Sequence, residues 1–351
     1  MADISRTKLA FFLISSTLLI TFVFYAYQIV YTPNILVDRD DRTFIIRSGY
    51  TFRKVQEELG KGGFVNDMVS FSFLARLKDY DRHIMPGRYQ LRRNMTNLEA
   101  LAVLNSGQRQ AVKVTFTNVR LIDELGEKIT KNLGVTPTEF DRALDKFLET
   151  NTEGFTKENV ISLFLPNTYE VYYNVLPEEL IDRMHEEYNR FWDEERQSQA
   201  KAIGLTPLEI STLASIVQAE SVKQEEAPII AGLYINRLKK GIPLQADPTL
   251  VFAAKDFTIK RVLNEHKEID SPYNTYKNAG LPPGPINMPQ IATLEAVLNY
   301  QQHDYIYMCA REDFSGFHNF ATTLTEHNRN ARRYQQALTI EIQKGRAAAR
   351  K

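Results

Sequence analysis

TPLEISTLASIVQAE, residues 206–220, reads as one helix carrying an acid where an apolar residue belongs. Thr206 and Glu209 form a capping box and Pro207 takes the first helical position, so the helix starts there. Ile210, Leu213, Ala214 and Val217 recur on one face, and Glu220 follows on that face, seven residues after Leu213 and three after Val217. A carboxyl group withdrawn from water there is held toward its protonated form, as a general acid must be. The plainer alternative is a solvated helix end, since Ser221-Val222-Lys223-Gln224 is polar.

Downstream, a second helix is predicted from Glu225 to Lys240, closed by Lys239-Lys240-Gly241. In Gln245-Ala246-Asp247-Pro248-Thr249, aspartate before proline reads as a helix N-cap, whereas Gln245 is free to bond a ligand. Tyr273-Asn274-Thr275-Tyr276 offers flat rings for pyranose faces and an amide for hydroxyl or N-acetyl groups. Gly280-Leu281-Pro282-Pro283-Gly284-Pro285-Ile286 is stiffened by three prolines and suits the wall of a site, or a plain turn. Phe317-His318-Asn319-Phe320 and His327-Asn328 add polar groups near the end. His318 and His327 lack the cysteine and carboxylate companions of usual zinc spacings, so no metal and no cofactor is expected. With no serine elbow, phosphate loop or dinucleotide fingerprint, one acid among tyrosine, asparagine and glutamine points to carbohydrate.

Lysine and arginine number 43, as do aspartate and glutamate, so nothing argues for nucleic acid as a partner. Leu9 to Tyr31 is an uncharged run of 23 residues, enough to span about 30 Å of hydrocarbon as a helix. Arg6 and Lys8 precede it, while Tyr25, Tyr27 and Tyr31 mark its far end and Arg39 and Arg42 follow. This predicts an anchor with its N-terminus in the cytoplasm and the body exported, rather than a cleaved signal peptide. Cys309, the single cysteine, lies in a stretch read as a buried strand.

Between anchor and helix 206–220, strands are predicted at Thr43–Arg47, Pro86–Leu91 and Ala111–Phe116, with helices at Thr51–Leu59, Asn66–Lys78 and from Thr96 to about Ser106. This is a small α+β unit. Helices follow at Leu121–Leu133 and Thr138–Leu148, then one charged helix from Glu178 to about Ala202 carrying Trp192.

Several of these segments stand together in a familiar order. Leu213 to Ser221, Ile235-Asn236-Arg237-Leu238, Gln245 to Thr249, Tyr273 to Tyr276, Gly280 to Ile286 and His327-Asn328, with Leu165-Pro166-Asn167-Thr168-Tyr169 before them, resemble the endolytic murein transglycosylase family (MltG, YceG-like). The resemblance extends over nearly the whole chain. It implies an α+β fold with an N-terminal transmembrane helix, a small LysM-like α+β subdomain and a YceG-like α+β catalytic domain. The expected divisions are a cytoplasmic tail (1–8), an anchor (9–31), a linker (32–41), the LysM-like subdomain (42–118), connecting helices (119–160), the catalytic domain (161–345) and a basic tail (346–351).

By that resemblance Glu220 is the catalytic acid/base of a peptidoglycan lytic transglycosylase, a carbon–oxygen lyase. Many relatives carry a second acid where this chain has Gln218. Gln245, Tyr273, Asn274, Tyr276, His318, His327 and Asn328 are the expected substrate-binding residues. Peptidoglycan glycan strands would be the substrate, peptidoglycan synthases the partners, and the periplasm or cell exterior the site of action. Two other accounts compete: a hydrolytic muramidase using Asp247, Glu225 or Glu226 as a second carboxylate, and a non-catalytic glycan-binding scaffold for synthases.

Overall fold

The computed structural model describes residues 6–37, 41–47, 49–106 and 111–348 of the 351-residue chain. Arg39 and the residues beyond Ala348 lie outside the described residues, so expectations placed on them have no structural counterpart.

Helix α1 (Arg6–Tyr31) is one uninterrupted helix, long and apolar enough to cross a membrane. Its side chains are exposed along most of its length, but its last turn is docked, with Ile29 buried among Ile35, Phe71 and Leu104.

Strand β1 (Asp41–Ile46) follows, then helices α2 (Phe52–Lys61) and α3 (Met68–Leu77), strand β2 (Gly87–Arg92) and helix α4 (Asn97–Asn105). β1 and β2 pair antiparallel, with Phe44 opposite Tyr89. Thr51 and Asp67 cap α2 and α3 through their side chains, and Thr96 with Glu99 forms a complete capping box on α4. α2 runs through Gly60 and stops at Gly62, where an added Cβ would strike the Phe64 ring. The core of this unit also contains a satisfied polar cluster, in which Asn34 Nδ2 donates to Asn97 Oδ1 at 2.6 Å and Asn97 Nδ2 to the Ile29 carbonyl at 2.9 Å.

Strand β3 (Ala111–Phe116) comes next, then helices α5 (Ile122–Thr130) and α6 (Pro137–Thr150) and strand β4 (Asn167–Tyr172), which pairs with β3. The segment expected as one helix from Glu178 is two, α7 (Pro177–Phe191) and α8 (Glu194–Ile203). Asp193 is extended and accepts from the Arg196 N–H at 2.9 Å, so it caps a new helix while Trp192 is buried behind it.

The chain then forms α9 (Pro207–Glu220), α10 (Ala227–Lys239), α11 (Asp247–Ala254), α12 (Ile291–Leu298), β5 (Tyr307–Ala310), β6 (His318–Ala321) and α13 (Leu324–Ala348). Two compact units result: Met1–Val114 with Thr130–Thr136 and Glu170–Leu176, and Thr115–Ile129 with Pro137–Tyr169 and Pro177–Lys351.

In the second unit α9 is the central element, touching α8, α10, α11 and α12. Every residue from Ile210 to Val217 is buried, so α9 is enclosed on all sides rather than amphipathic as its spacing suggested. Ser211, Thr212 and Ser215 are accommodated because each hydroxyl donates to a carbonyl of the preceding turn. The predicted helix 225–240 starts at Ala227, after a short 3-10 turn over Gln224–Glu226.

Candidate active site

Glu220 is the last residue of α9, where the helix leaves the core. Its side chain lies deep in the protein yet keeps partial access to a cleft. Burial pushes the Glu220 carboxyl up to about 7, and the negative charge of Asp247 adds to the effect. The Tyr234 hydroxyl and the Asp247 backbone amide act the other way by favouring the ionised form. Burial first, and then the charge of Glu220, holds the Tyr234 hydroxyl well above its usual range.

The segment after the proline-rich loop is clipped to α9. Ile286 N–H donates to Ser215 Oγ at 3.0 Å, and Asn287 Nδ2 to the Ser215 carbonyl at 2.9 Å. Gln218 uses both ends of its amide here: Oε1 accepts from Gln290 N–H at 2.6 Å, and Nε2 donates to Asn287 Oδ1 at 3.0 Å. A glutamate at this position could accept but not donate. Gly284 allows the loop to pass against the backbone at Glu158, since a Cβ would overlap the Glu158 carbonyl.

Asp247 does not cap α11. The cap position is Ala246, and Asp247 is the first helical residue, its Oδ1 accepting from the Tyr276 hydroxyl at 2.6 Å. The preceding turn is shaped by Gln245, whose left-handed backbone (φ 52) carries its side chain to Arg237. Arg237 is 6% exposed and spends its guanidinium on the Pro243 and Ile306 carbonyls and on Gln245 Oε1, at 2.7–3.0 Å. Burial lowers its pKa, opposed by the surrounding tyrosines.

Two cavities meet at this point, and Glu220 and Asp247 line both. One, of about 410 Å³, is walled by Tyr234, Arg237, Gln245, Tyr276, Tyr307, Cys309, His318 and His327. Cys309 therefore sits half-buried at the cleft rather than in the core. The other, of about 640 Å³, is walled by Val251, Phe252, Phe257, Ile259, Ile286 and Asn287 and by the cations Arg120, Lys260 and Arg261.

The residues expected to bind substrate divide accordingly. Gln245, Tyr276, His318 and His327 reach the cleft beside Glu220. Burial, with a contribution from Arg237, lowers the pKa of His327, whose ring stacks on Tyr307. Tyr273 lies behind the wall, its ring 4.6 Å from that of Phe252. Asn274 is fully buried, donating to the Lys267 and Ile269 carbonyls and accepting from the Tyr276 and Lys277 amides, which leaves nothing for a sugar. Asn328 is exposed on α13, away from both cavities.

Sequence reasoning passed over Tyr234 and the three cations. Tyr234 lies three residues before Arg237 on α10, a same-face spacing that would have flagged it. The cations come from separate segments that only folding unites. Glu226, weighed as a second catalytic carboxylate, is instead buried and bound to His318.

Comparison with known proteins agrees with this architecture. A putative YceG-like protein from Listeria monocytogenes, solved by crystallography, superposes with a TM-score of 0.54 at 23% identity, over 83% of this chain and 98% of that one, and so shares its fold. A Bacillus subtilis (strain 168) endolytic murein transglycosylase is 29% identical over 322 residues, 85% of this chain and 87% of the relative. A Streptococcus pneumoniae (serotype 2, strain D39) protein of the same name is 26% identical over 352 residues, 91% of this chain but 63% of the relative, so the chain spans less than two thirds of that protein. Residues 44–333 match the YceG-like family, and with most of its length matched the chain belongs to that family.

Proposed function

We propose that the protein is a membrane-anchored lytic transglycosylase that cuts peptidoglycan glycan strands internally, with Glu220 as its general acid and base. The observation that carries this reading is the position of Glu220, an acid raised to about 7 at the junction of two cavities. A cleft extending both ways from the acid accommodates a chain cut in its interior, and the relatives named endolytic murein transglycosylase supply the substrate class.

In this mechanism protonated Glu220 gives its proton to the oxygen between MurNAc C1 and GlcNAc as that bond breaks. The carboxylate left behind takes the proton of the muramyl C6 hydroxyl, whose oxygen closes on C1. The product is a 1,6-anhydroMurNAc end, and no water is consumed. One carboxylate is enough because the nucleophile belongs to the substrate, unlike in two-carboxylate glycosidases. α1 would hold the enzyme at the outer face of the plasma membrane, next to peptidoglycan synthases, where internal cleavage of nascent strands would end their elongation.

Glu220→Gln is expected to abolish anhydro-ended products from uncrosslinked glycan strands, and full activity in that variant would refute the assignment. The charge of Asp247 beside Glu220 favours a second reading, hydrolysis, in which Asp247 would activate water. Mass spectrometry separates the two, since hydrolytic products carry one added water.

A further inference from the structure

The two arms of the cleft differ in charge. In the arm beside α10, the guanidinium of Arg237 is committed to carbonyls and Gln245, leaving aromatic rings and two imidazoles. In the other arm, Arg120, Lys260 and Arg261 line the cavity, and among the described residues none of them forms an ion pair. Arg120 lies over the ring of Phe257, 4.8 Å from its centroid, which places its charge at the cavity wall. Unpaired cations around an open cavity set up a field that favours an anion, and the apolar surface of Val251, Phe252 and Ile259 between them suits an aliphatic or methyl-bearing segment.

In a stem-bearing strand the sugar backbone itself is neutral, because the muramyl lactyl carboxyl is held in the amide to the stem. Its anionic part is the peptide stem on the muramyl lactyl group, which combines methyl side chains with free carboxylates. Building on the reading of the site as a peptidoglycan transglycosylase, we infer that the arm formed by Arg120, Lys260 and Arg261 receives the carboxylate-bearing peptide stem of a muramyl residue. The enzyme would thereby select stem-bearing strands over bare ones. Lipid-linked pyrophosphate is the other anion that a nascent strand can carry, and the test distinguishes it.

The full chain in detergent is assayed on three uncrosslinked substrates: stem-bearing strands, the same strands stripped of peptide by an amidase and capped as methylamides at the freed lactyl carboxylates, and stem-bearing strands still attached to lipid pyrophosphate. The readout is the ratio of kcat/KM on stem-bearing, lipid-free strands to that on stripped strands. The wild type is expected to favour stem-bearing strands, and the exposed double variant Lys260→Glu, Arg261→Glu to lose about five- to tenfold of that preference through KM. The wild-type preference should also shrink as salt screens the cations. A wild-type ratio near one, an unchanged ratio in the double variant, or a loss confined to lipid-linked strands would each overturn the inference. A wild type inactive on all three substrates would instead count against the proposed reaction.

Discussion

Glu226 gives both of its carboxylate oxygens to one residue: the backbone N–H of His318 donates to Oε1 at 2.9 Å, and His318 Nδ1 lies 2.9 Å from Oε2. With Nδ1 turned to Glu226, Nε2 is the ring atom left for the cleft that His318 lines. Glu226 is 3% exposed, so removing the His318 ring leaves Oε2 buried without its partner. His318→Ala, which keeps the backbone donor to Oε1 but loses the ring, and Glu226→Gln, which turns an N–H toward a donor, should each cost about 1–3 kcal/mol. Urea denaturation of both single variants and the double variant would show a clear coupling energy; strict additivity would mean that the pair does not act as a unit.

The Glu220 carboxyl makes stability depend on pH. Its folded value of about 7 lies above the ordinary 4.5, so between these values the native chain binds the proton more tightly than the unfolded chain. Stability from the protonated form is complete below about 4.5 and is lost as pH rises through 7. Glu220→Gln, uncharged at all pH values, should therefore be more stable than the wild type at pH ~8, on the order of 2–3 kcal/mol, and gain little at pH ~4.5. Equal melting temperatures for the two proteins at both pH values would contradict the placement of this acid.

Asp247 raises the same carboxyl through its charge. Asp247→Asn removes that charge while keeping an oxygen for the Tyr276 hydroxyl. If protonated Glu220 is the acid, the alkaline fall in kcat/KM should move to lower pH by up to about 1 unit. A fall that stays in place would show that Asp247 does not tune the acid, and a complete loss of products would favour Asp247 as a catalytic group of a hydrolase.

Arg237 joins three segments through one guanidinium, reaching Pro243, Gln245 and Ile306. Lysine keeps the charge but cannot reproduce the planar fork. Arg237→Lys should lower stability by about 2–4 kcal/mol and loosen the Gln245 turn. Urea unfolding, which adds no ionic screening, would register the loss as a lower midpoint at unchanged slope.

The end of α1 belongs to the first unit's core. Ile29 is 7% exposed and its carbonyl accepts from buried Asn97. A soluble chain beginning at Thr32 should be less stable than one beginning at Gln28, by about 1.5–3 kcal/mol for the lost isoleucine burial. Thermal melts of the two truncations would measure it, and identical midpoints would show that the docked turn contributes nothing.

Much of this molecule could be read from local chemistry. The capping boxes at Thr96 and Thr206 mark helix starts because their hydrogen bonds close within four residues. The long apolar run of α1 and the strand Ala111–Phe116 are likewise legible, since each follows from the order of a few neighbouring side chains. The break at Asp193 was missed because a charged amphipathic pattern runs across it, and only the burial of Trp192 and the cap on Arg196 separate the two helices.

The site divides along the same line. Sequence alone singled out Glu220, because an acid at an apolar helical position is a local anomaly, and the family motifs named its companions. It could not say that Asn274 spends every polar atom on backbone groups, or that Asp247 faces Tyr276 instead of capping α11. Those facts depend on partners far along the chain. The raised pKa of Glu220 and the grouping of Arg120 with Lys260 and Arg261 are likewise decided only when folding excludes water and brings distant segments to one cleft.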